Sequence, residues 1–345
     1  MKFSLFLHME RYDNEISDTQ LFNEMTELVQ MAEAGGFETA WIGEHHAMGF
    51  TIAPNPLVNI AYLANKTSTI RLGTGTLIAP FWHPIKAAGE AGLVDVMTNG
   101  RLDLGLARGA YGFEYERLFP GLDAMSAGAR LREMIPALQG LFAGDYAHDG
   151  EFWQFPTSTA VPRPIQQPYP PIWVAARDPN SHQYAVSNGC NVQVTSLASG
   201  DEEVKSLMEK FRTACEMNPD VPRPQIMMLM HTFVGETEEE IQEGALNVSK
   251  FYCYFAKWFK NVQPIEQGVI QALTDEEMAE YPQYAPELMR KNTVIGTPAE
   301  VIARLKSYEA MGYDQYSYWI DCHMTFEQKK QSLQRFIDQV VPAFA

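Results

Sequence analysis

Eight times along this chain a short apolar segment gives way to a helical one, and that alternation limits the fold more than any other feature. The strand-like segments are residues 2–8, 39–43, 69–79, 101–109, 171–176, 190–195, 224–235 and 313–321. Between and after them lie helical stretches at 19–36, 54–67, 83–100, 126–143, 179–189, 201–216, 237–259, 297–312 and 325–344. In the first helix Leu21, Met25, Leu28 and Met31 recur at three- and four-residue spacing, which places them on one face. Gly100 closes the third, and Thr297 followed by Pro298 opens the helix at 297–312. Strands that alternate with helices pair in parallel through crossovers. Eight such units closing on themselves make a (β/α)8 barrel, and an open doubly wound sheet is the alternative. No composition break or repeat divides residues 1–345, so one barrel domain is expected. Residues 145–170, with aromatics, prolines and an Asp-Gly turn, read as a hairpin and loop. Residues 261–292 are longer than an ordinary connection and read as an active-site lid or a surface insertion.

Charge and cysteine usage exclude several classes. The net charge is −17, from 26 basic and 43 acidic residues. A nucleic-acid binder would carry a basic face, and an anionic membrane would repel this chain. No run of about 18 apolar residues suggests a membrane span. The apolar start at 2–8 is too short for a signal-peptide core. Cys190, Cys215, Cys253 and Cys322 form no CxxC pair or zinc spacing, so free thiols in a reducing cytoplasm are expected.

In such a barrel the chemistry lies where strands end. The second strand runs straight into Glu44-His45-His46. Other strand ends contribute His8, Ala107-Arg108-Gly109, the segment from Ala175 to Asp178, His231 and Asp321. Adjacent histidines on a loop point apart, so one metal rarely takes both. A metal hydrolase built from His8, His45 or His46, His231 and Asp321 stays open as an alternative.

From the opening MKFSLFL to the final VVPAF the chain resembles the bacterial luciferase family of flavin-dependent monooxygenases. The resemblance rests on GGFETAWIGEHH, NPLVNIAYLA, IRLGTGTLIAPFWHPIKAA, GRLDLGLARGAY and VIGTPAEVI in that order. It implies the same barrel and FMN delivered reduced by a separate flavin reductase. It also implies reaction with O2 to a flavin C4a-peroxide that oxygenates an organic substrate. The family's catalytic histidine matches His45, with Glu44 and His46 as its candidate companions. An imidazole titrates near working pH and so suits proton transfer. Arg108 matches an arginine that contacts the flavin phosphate, and a guanidinium can hold two phosphate oxygens. Ala107, Gly109, Ala110 and Tyr111 would line the same edge. Ala107 replaces a cysteine found in luciferases, which argues against light emission and leaves oxygenation intact. Gly75-Thr76 falls where the family has a strained peptide bond beneath the flavin. Asn180 and Ser181 begin a helix expected under the phosphate, because free N–H groups there bind anions, and Ala176 and Arg177 lie just before it where luciferases have other residues. Arg130 and Arg132 lie near a further phosphate-contacting arginine, with the alignment open by a residue.

The substrate side is less determined. Bulky residues near strand ends, among them Phe6, Phe50, Phe81, Trp82, Phe113 and Trp319, line apolar pockets or fill the barrel. They favour an apolar aldehyde or ketone of small to medium size. Two further readings stay open: a deazaflavin-dependent oxidoreductase of the same superfamily, and a non-catalytic partner subunit. A homodimer through apolar helix faces in 54–67 and 83–100 is implied by the resemblance.

Overall fold

The computed structural model describes every residue except 13, 14, 262 and 345. Eight parallel strands form a closed ring in chain order: β1 (Lys2–Leu7), β2 (Thr39–Ile42), β3 (Arg71–Thr74), β4 (Leu102–Ala107), β5 (Ile172–Ala175), β6 (Asn191–Thr195), β7 (Ile226–Val234) and β8 (Gln315–Trp319). The ring closes twice over, with Leu5 opposite both Ala40 and Tyr318, and Met228 opposite both Val194 and Tyr316. This is the (β/α)8 barrel, and the open sheet is excluded.

The surrounding helices are α1 (Asp18–Ala34), α2 (Pro56–Ala64), α3 (Pro84–Met97), α4 (Gly112–Leu118), α5 (Ala124–Ala143), α6 (Pro179–Ser187), α7 (Asp201–Glu216), α8 (Glu238–Lys260), α9 (Asp275–Ala279), α10 (Pro286–Asn292), α11 (Pro298–Met311) and α12 (Phe326–Arg335). Helix α11 starts on a capping box, Thr297 bonding the Glu300 N–H while Glu300 bonds back to the Thr297 N–H.

Side-chain alternation along the strands separates two cores. Leu5, Leu7, Ala40, Ile42, Leu72 and Leu104 pack outward with the helices. Phe6, Trp41, Trp173, Met227 and Trp319 pack with one another inside the ring, and this inner cluster runs on to Phe50, Tyr111, Phe251 and Tyr254. Gly73 makes room for the inward indole, since a Cβ there would collide with Trp41.

Several expected boundaries move. The segment read as one strand over 69–79 is β3 followed by a separate pair at Leu77–Ile78, and the Gly75–Thr76 peptide between them is cis. The last helix is α12 continued by a π-helical turn at Phe336–Val340 and a 3-10 turn at Val341–Phe344. The hairpin in 145–170 is present as Tyr146–Asp149 against Gln154–Ser158. A short strand, Val294–Gly296, extends the sheet beside the end of β7. The long segment 261–292, of which Val262 lies outside the described residues, holds a small hairpin (Ile265–Glu266 with Val269–Ile270), α9 and α10. Its hairpin docks on the loop after β2, where the Gly49 N–H donates to the Gly268 carbonyl at 2.6 Å. The Tyr284 ring stacks on Tyr252 of α8, and Lys260 donates to the Tyr281 hydroxyl at 2.9 Å.

Candidate active site

A cavity of about 540 Å³ opens at the carboxyl ends of the strands. Its lining joins Glu44, His45, Gly75, Thr76, Ala107, Arg108, Gly109, Ala110, Ala176, Arg177, Asn180 and Ser181, residues that the sequence had scattered over 138 positions, 44 to 181. Phe6, Ile78, Val174, Met227 and Leu229 give it apolar walls. Two of the expected residues, His46 and Tyr111, lie outside that lining.

His45 stands where β2 gives way to a turn, and its backbone N–H is held by the Ala53 carbonyl at 3.0 Å. Its Nδ1 lies 3.0 Å from Glu114 Oε2. The other Glu114 oxygen accepts the His46 backbone N–H at 2.8 Å. A carboxylate only accepts, so Nδ1 carries the proton and Nε2 is left with its lone pair. Glu114 comes from α4 and is buried, with 1% of its surface exposed. It is the functional residue that the sequence reading missed, since residues 110–125 were left without an element.

Glu44 and His46 bond to each other and to the neighbouring loop. Glu44 accepts from the Ile78 N–H at 2.7 Å and the Trp82 indole at 3.0 Å, and lies 2.8 Å from His46 Nε2. Burial pushes the Glu44 carboxyl up against these bonds. Burial pulls His46 down, but its bond to Glu44 and that residue's charge leave it raised overall. The two shifts compete for one proton. The histidinium form is the sounder assignment, because the two N–H groups on Glu44 need an acceptor. This pair ties the loop after β2 to the loop after β3, and the His46 ring packs edge-on against Phe81 at 5.5 Å, away from the cavity.

The far end of the cavity is cationic. Arg108 is exposed and its Nη1 donates to the Ala124 carbonyl at 3.0 Å, while Gly109 turns the chain at φ +86°. Arg132 of α5 lines the cavity. Arg130 does not: its guanidinium stacks on Phe119 and Phe152 at 4.5 and 4.4 Å. Arg177 projects beside them, 3.6 Å from Glu203.

The expected free helix N-terminus is corrected. The Asp178 carboxylate caps α6 and takes the N–H groups of Asn180 and Ser181 at 3.0 and 3.1 Å. The Ser181 hydroxyl is spent between the Asp178 carbonyl and the Arg177 N–H. An anion at this end therefore meets guanidinium groups rather than these backbone donors. Tyr111 is also displaced from the arginine edge. Its ring is buried, 5.0 Å from His45 and 4.7 Å from Phe259, and its hydroxyl has no hydrogen-bond partner among the described residues. Gln193 also lines the cavity, and its Nε2 is buried without an acceptor among the described residues. Among the described residues no group of three or more His, Cys, Asp or Glu is placed to hold a metal ion.

A cationic rim, an apolar slot and an unpaired donor at its base describe a receptacle for a flat heteroaromatic molecule with an anionic tail. The comparisons with known proteins agree. The family model for luciferase-like monooxygenases matches residues 1–315. The oxygenase component of a flavin-dependent trigonelline monooxygenase from Acinetobacter baylyi is 63% identical over 345 residues, covering 100% of this chain and 96% of that one. An alkanal monooxygenase alpha chain from the Kryptophanaron alfredi symbiont is 27% identical over 262 residues, 75% of this chain and 70% of that one. A monooxygenase of known structure from Streptomyces bottropensis superposes with a TM-score of 0.82 at 26% identity, over 100% of both chains. The chain belongs to the luciferase-like monooxygenase family and is a flavin-dependent monooxygenase. No helix among the described residues is long and apolar enough to cross a membrane.

Proposed function

We propose that this chain is the oxygenase of a two-component system, that it takes reduced FMN from a separate reductase, and that it oxygenates trigonelline or a close N-methylpyridinium carboxylate. The observation that carries the chemistry is His45, held by a buried carboxylate with its second nitrogen left over at the cavity. The substrate class is supported by the 63% identity to the trigonelline enzyme over the whole chain. An aldehyde or ketone is the weaker choice, because the wall beyond His45 is aromatic and backed by buried acids.

The residues present fit FMN. Arg108, Arg132 and Arg177 would hold its phosphate, and the unpaired Gln193 donor would meet a ring-edge acceptor. A cavity of about 540 Å³ suits a mononucleotide. Reduced flavin, when bound, supplies the two electrons that activate O2 for transfer of one oxygen atom. The chain itself contributes position and protons. Glu114 orients the His45 ring, so Nε2 can accept a proton at the cavity and return it. Phe6, Ile78, Val174 and Met227 exclude water from the apolar slot. A deazaflavin would bring hydride chemistry to the same rim. No residue here favours it over FMN.

We also infer a homodimer. Val58 and Tyr62 on α2 and Leu93, Val96 and Met97 on α3 leave 61, 38, 47, 43 and 47% of their surfaces exposed on two helices that pack together. Such an apolar face needs a cover, and a second copy provides one.

The test is turnover of trigonelline by the purified chain with FMN, NADH and a flavin reductase under air. Oxygen uptake matched by substrate loss, and uncoupled in His45→Ala, is the expected result. Uptake without substrate loss overturns the substrate assignment, and failure to bind reduced FMN anaerobically overturns the cofactor.

A further inference from the structure

Strand β6 turns a polar face into an otherwise apolar slot. Val192 and Val194 belong to the outer core, and Gln193 between them turns into the ring, in register with Ala175 of β5 and Met227 of β7. Its backbone is fixed by its carbonyl, which accepts the Ala176 N–H at 3.0 Å. Its side chain reaches past β5 to β4: a Cβ at Gly105 would lie 3.2 Å from Gln193 Oε1 and 3.3 Å from its Nε2. The same Cβ would lie 2.1 Å from the Thr74 carbonyl oxygen. Glycine at 105 therefore leaves the space that the amide uses, beside the approach to Gly75 and Thr76.

Gln193 is 8% exposed, lines the cavity, and has no acceptor for its Nε2 among the described residues. Two residues on, Thr195 lines the cavity from the same face of the strand. Its hydroxyl oxygen accepts the Leu197 N–H at 3.1 Å, which leaves the hydroxyl hydrogen to donate. A buried donor left unmet is costly, and one on a cavity wall is explained by an acceptor that arrives with a ligand.

The acids of the lining neither meet this donor nor oppose a negative ligand. Glu44 is taken up by the Ile78 N–H, the Trp82 indole and His46, and Asp178 caps α6. The wall made by β6 is thus a wall of donors, in a cavity that also holds Arg108, Arg132 and Arg177. Such a lining suits a ring that carries negative charge as well as a negative tail. The ring of oxidised FMN is neutral, and its two-electron reduced form is an anion at neutral pH, with the charge on the nitrogen and carbonyl edge. Hydrogen bonds to a charged acceptor are about twice as strong as those to a neutral one.

We propose that Gln193 reads the redox state of the flavin: its amide donates to the edge of the ring and makes the site hold reduced FMN more tightly than oxidised FMN. This rests on the FMN reading above and adds the residue that separates the form to be loaded from the form to be released. Gln193 is then a cofactor-binding residue, and proton transfer stays with His45.

The experiment is binding without turnover. The full chain, without substrate, is titrated with reduced FMN under anaerobic conditions and with oxidised FMN in air, and the midpoint potential of the bound flavin is measured separately. The wild-type chain is expected to bind reduced FMN at least about tenfold more tightly, which raises the two-electron potential of bound over free FMN by about 30 mV. Gln193→Leu is expected to cut that preference about fivefold or more, almost wholly through weaker binding of reduced FMN. Gln193→Met, which keeps the length of the side chain, is expected to act alike. Equal wild-type affinities, or a preference that both variants leave unchanged, overturn the assignment. The wild-type comparison stands even if the variants fold poorly. Failure of both forms of FMN to bind defeats the cofactor reading and the assignment with it. Binding of both with an unmoved ratio defeats the assignment alone.

Discussion

At the scale of single residues the site depends on which histidine faces what. Glu114 gives one oxygen to the His45 ring and the other to the His46 backbone. Glu114→Gln keeps the shape and cannot accept at both places, so one donor is left unmet. Its cost is expected in kcat, about tenfold or more, with smaller change in KM, read from trigonelline-dependent oxygen uptake. His46 leads to a different expectation. Its raised pKa, due to Glu44 once the opposing burial is overcome, means that the folded state binds a proton more tightly than the unfolded chain. That stabilisation is complete below the ordinary value of 6.5 and is lost as pH rises through the higher folded value. Melting temperature should therefore fall in the wild type as pH rises above the ordinary histidine value of 6.5. In His46→Asn the fall should flatten, and an equal slope in both would contradict the pairing. His45 could be read from sequence because motif and strand end coincide. Glu114 could not, because its only signal was an acid three residues after Tyr111 in a stretch with no clear period. Asp178 was visible in the sequence, but whether its carboxylate would cap the helix or leave the N–H groups free depends on one side-chain rotation.

At the scale of elements, the barrel strands were legible because they are short, apolar and bounded by glycine or proline. Their inner and outer faces follow from alternation, which is why Phe6, Trp41 and Trp319 meet inside. The break in the third strand was readable only as the position of an unusual peptide bond, and α4 and Val294–Gly296 were not readable at all. Each is too short for periodicity to show, and tertiary contacts form it. The 261–292 segment was legible as an excess of length. Its hairpin is tied to the loop after β2 by the Gly49–Gly268 bond, made at a glycine with φ +83°. A side chain at that φ is disfavoured by about 1 kcal/mol. Gly268→Ala is expected to loosen the hairpin while the barrel stays intact. Limited proteolysis should cut within 263–285 several-fold faster, with little change in melting temperature. Unchanged cutting would show that the hairpin does not depend on this turn.

At the scale of the whole molecule, the paired α2 and α3 faces predict the assembly. Leu93→Glu or Val58→Glu places a charge in the middle of the exposed apolar strip. Light scattering is expected to give a dimer for the wild type and a monomer for either variant, with the barrel's circular dichroism retained. A wild-type monomer would leave that strip for some other partner.

The two ends of the cavity also differ in how they meet solvent. Around the rim Arg108, Met125, Asp178 and Asn180 are exposed, whereas Phe6, Val194 and Met227 in the same lining are buried. With the flavin phosphate at the rim, as proposed, its exchange with a reductase takes place at an open edge and does not require the docked hairpin to move.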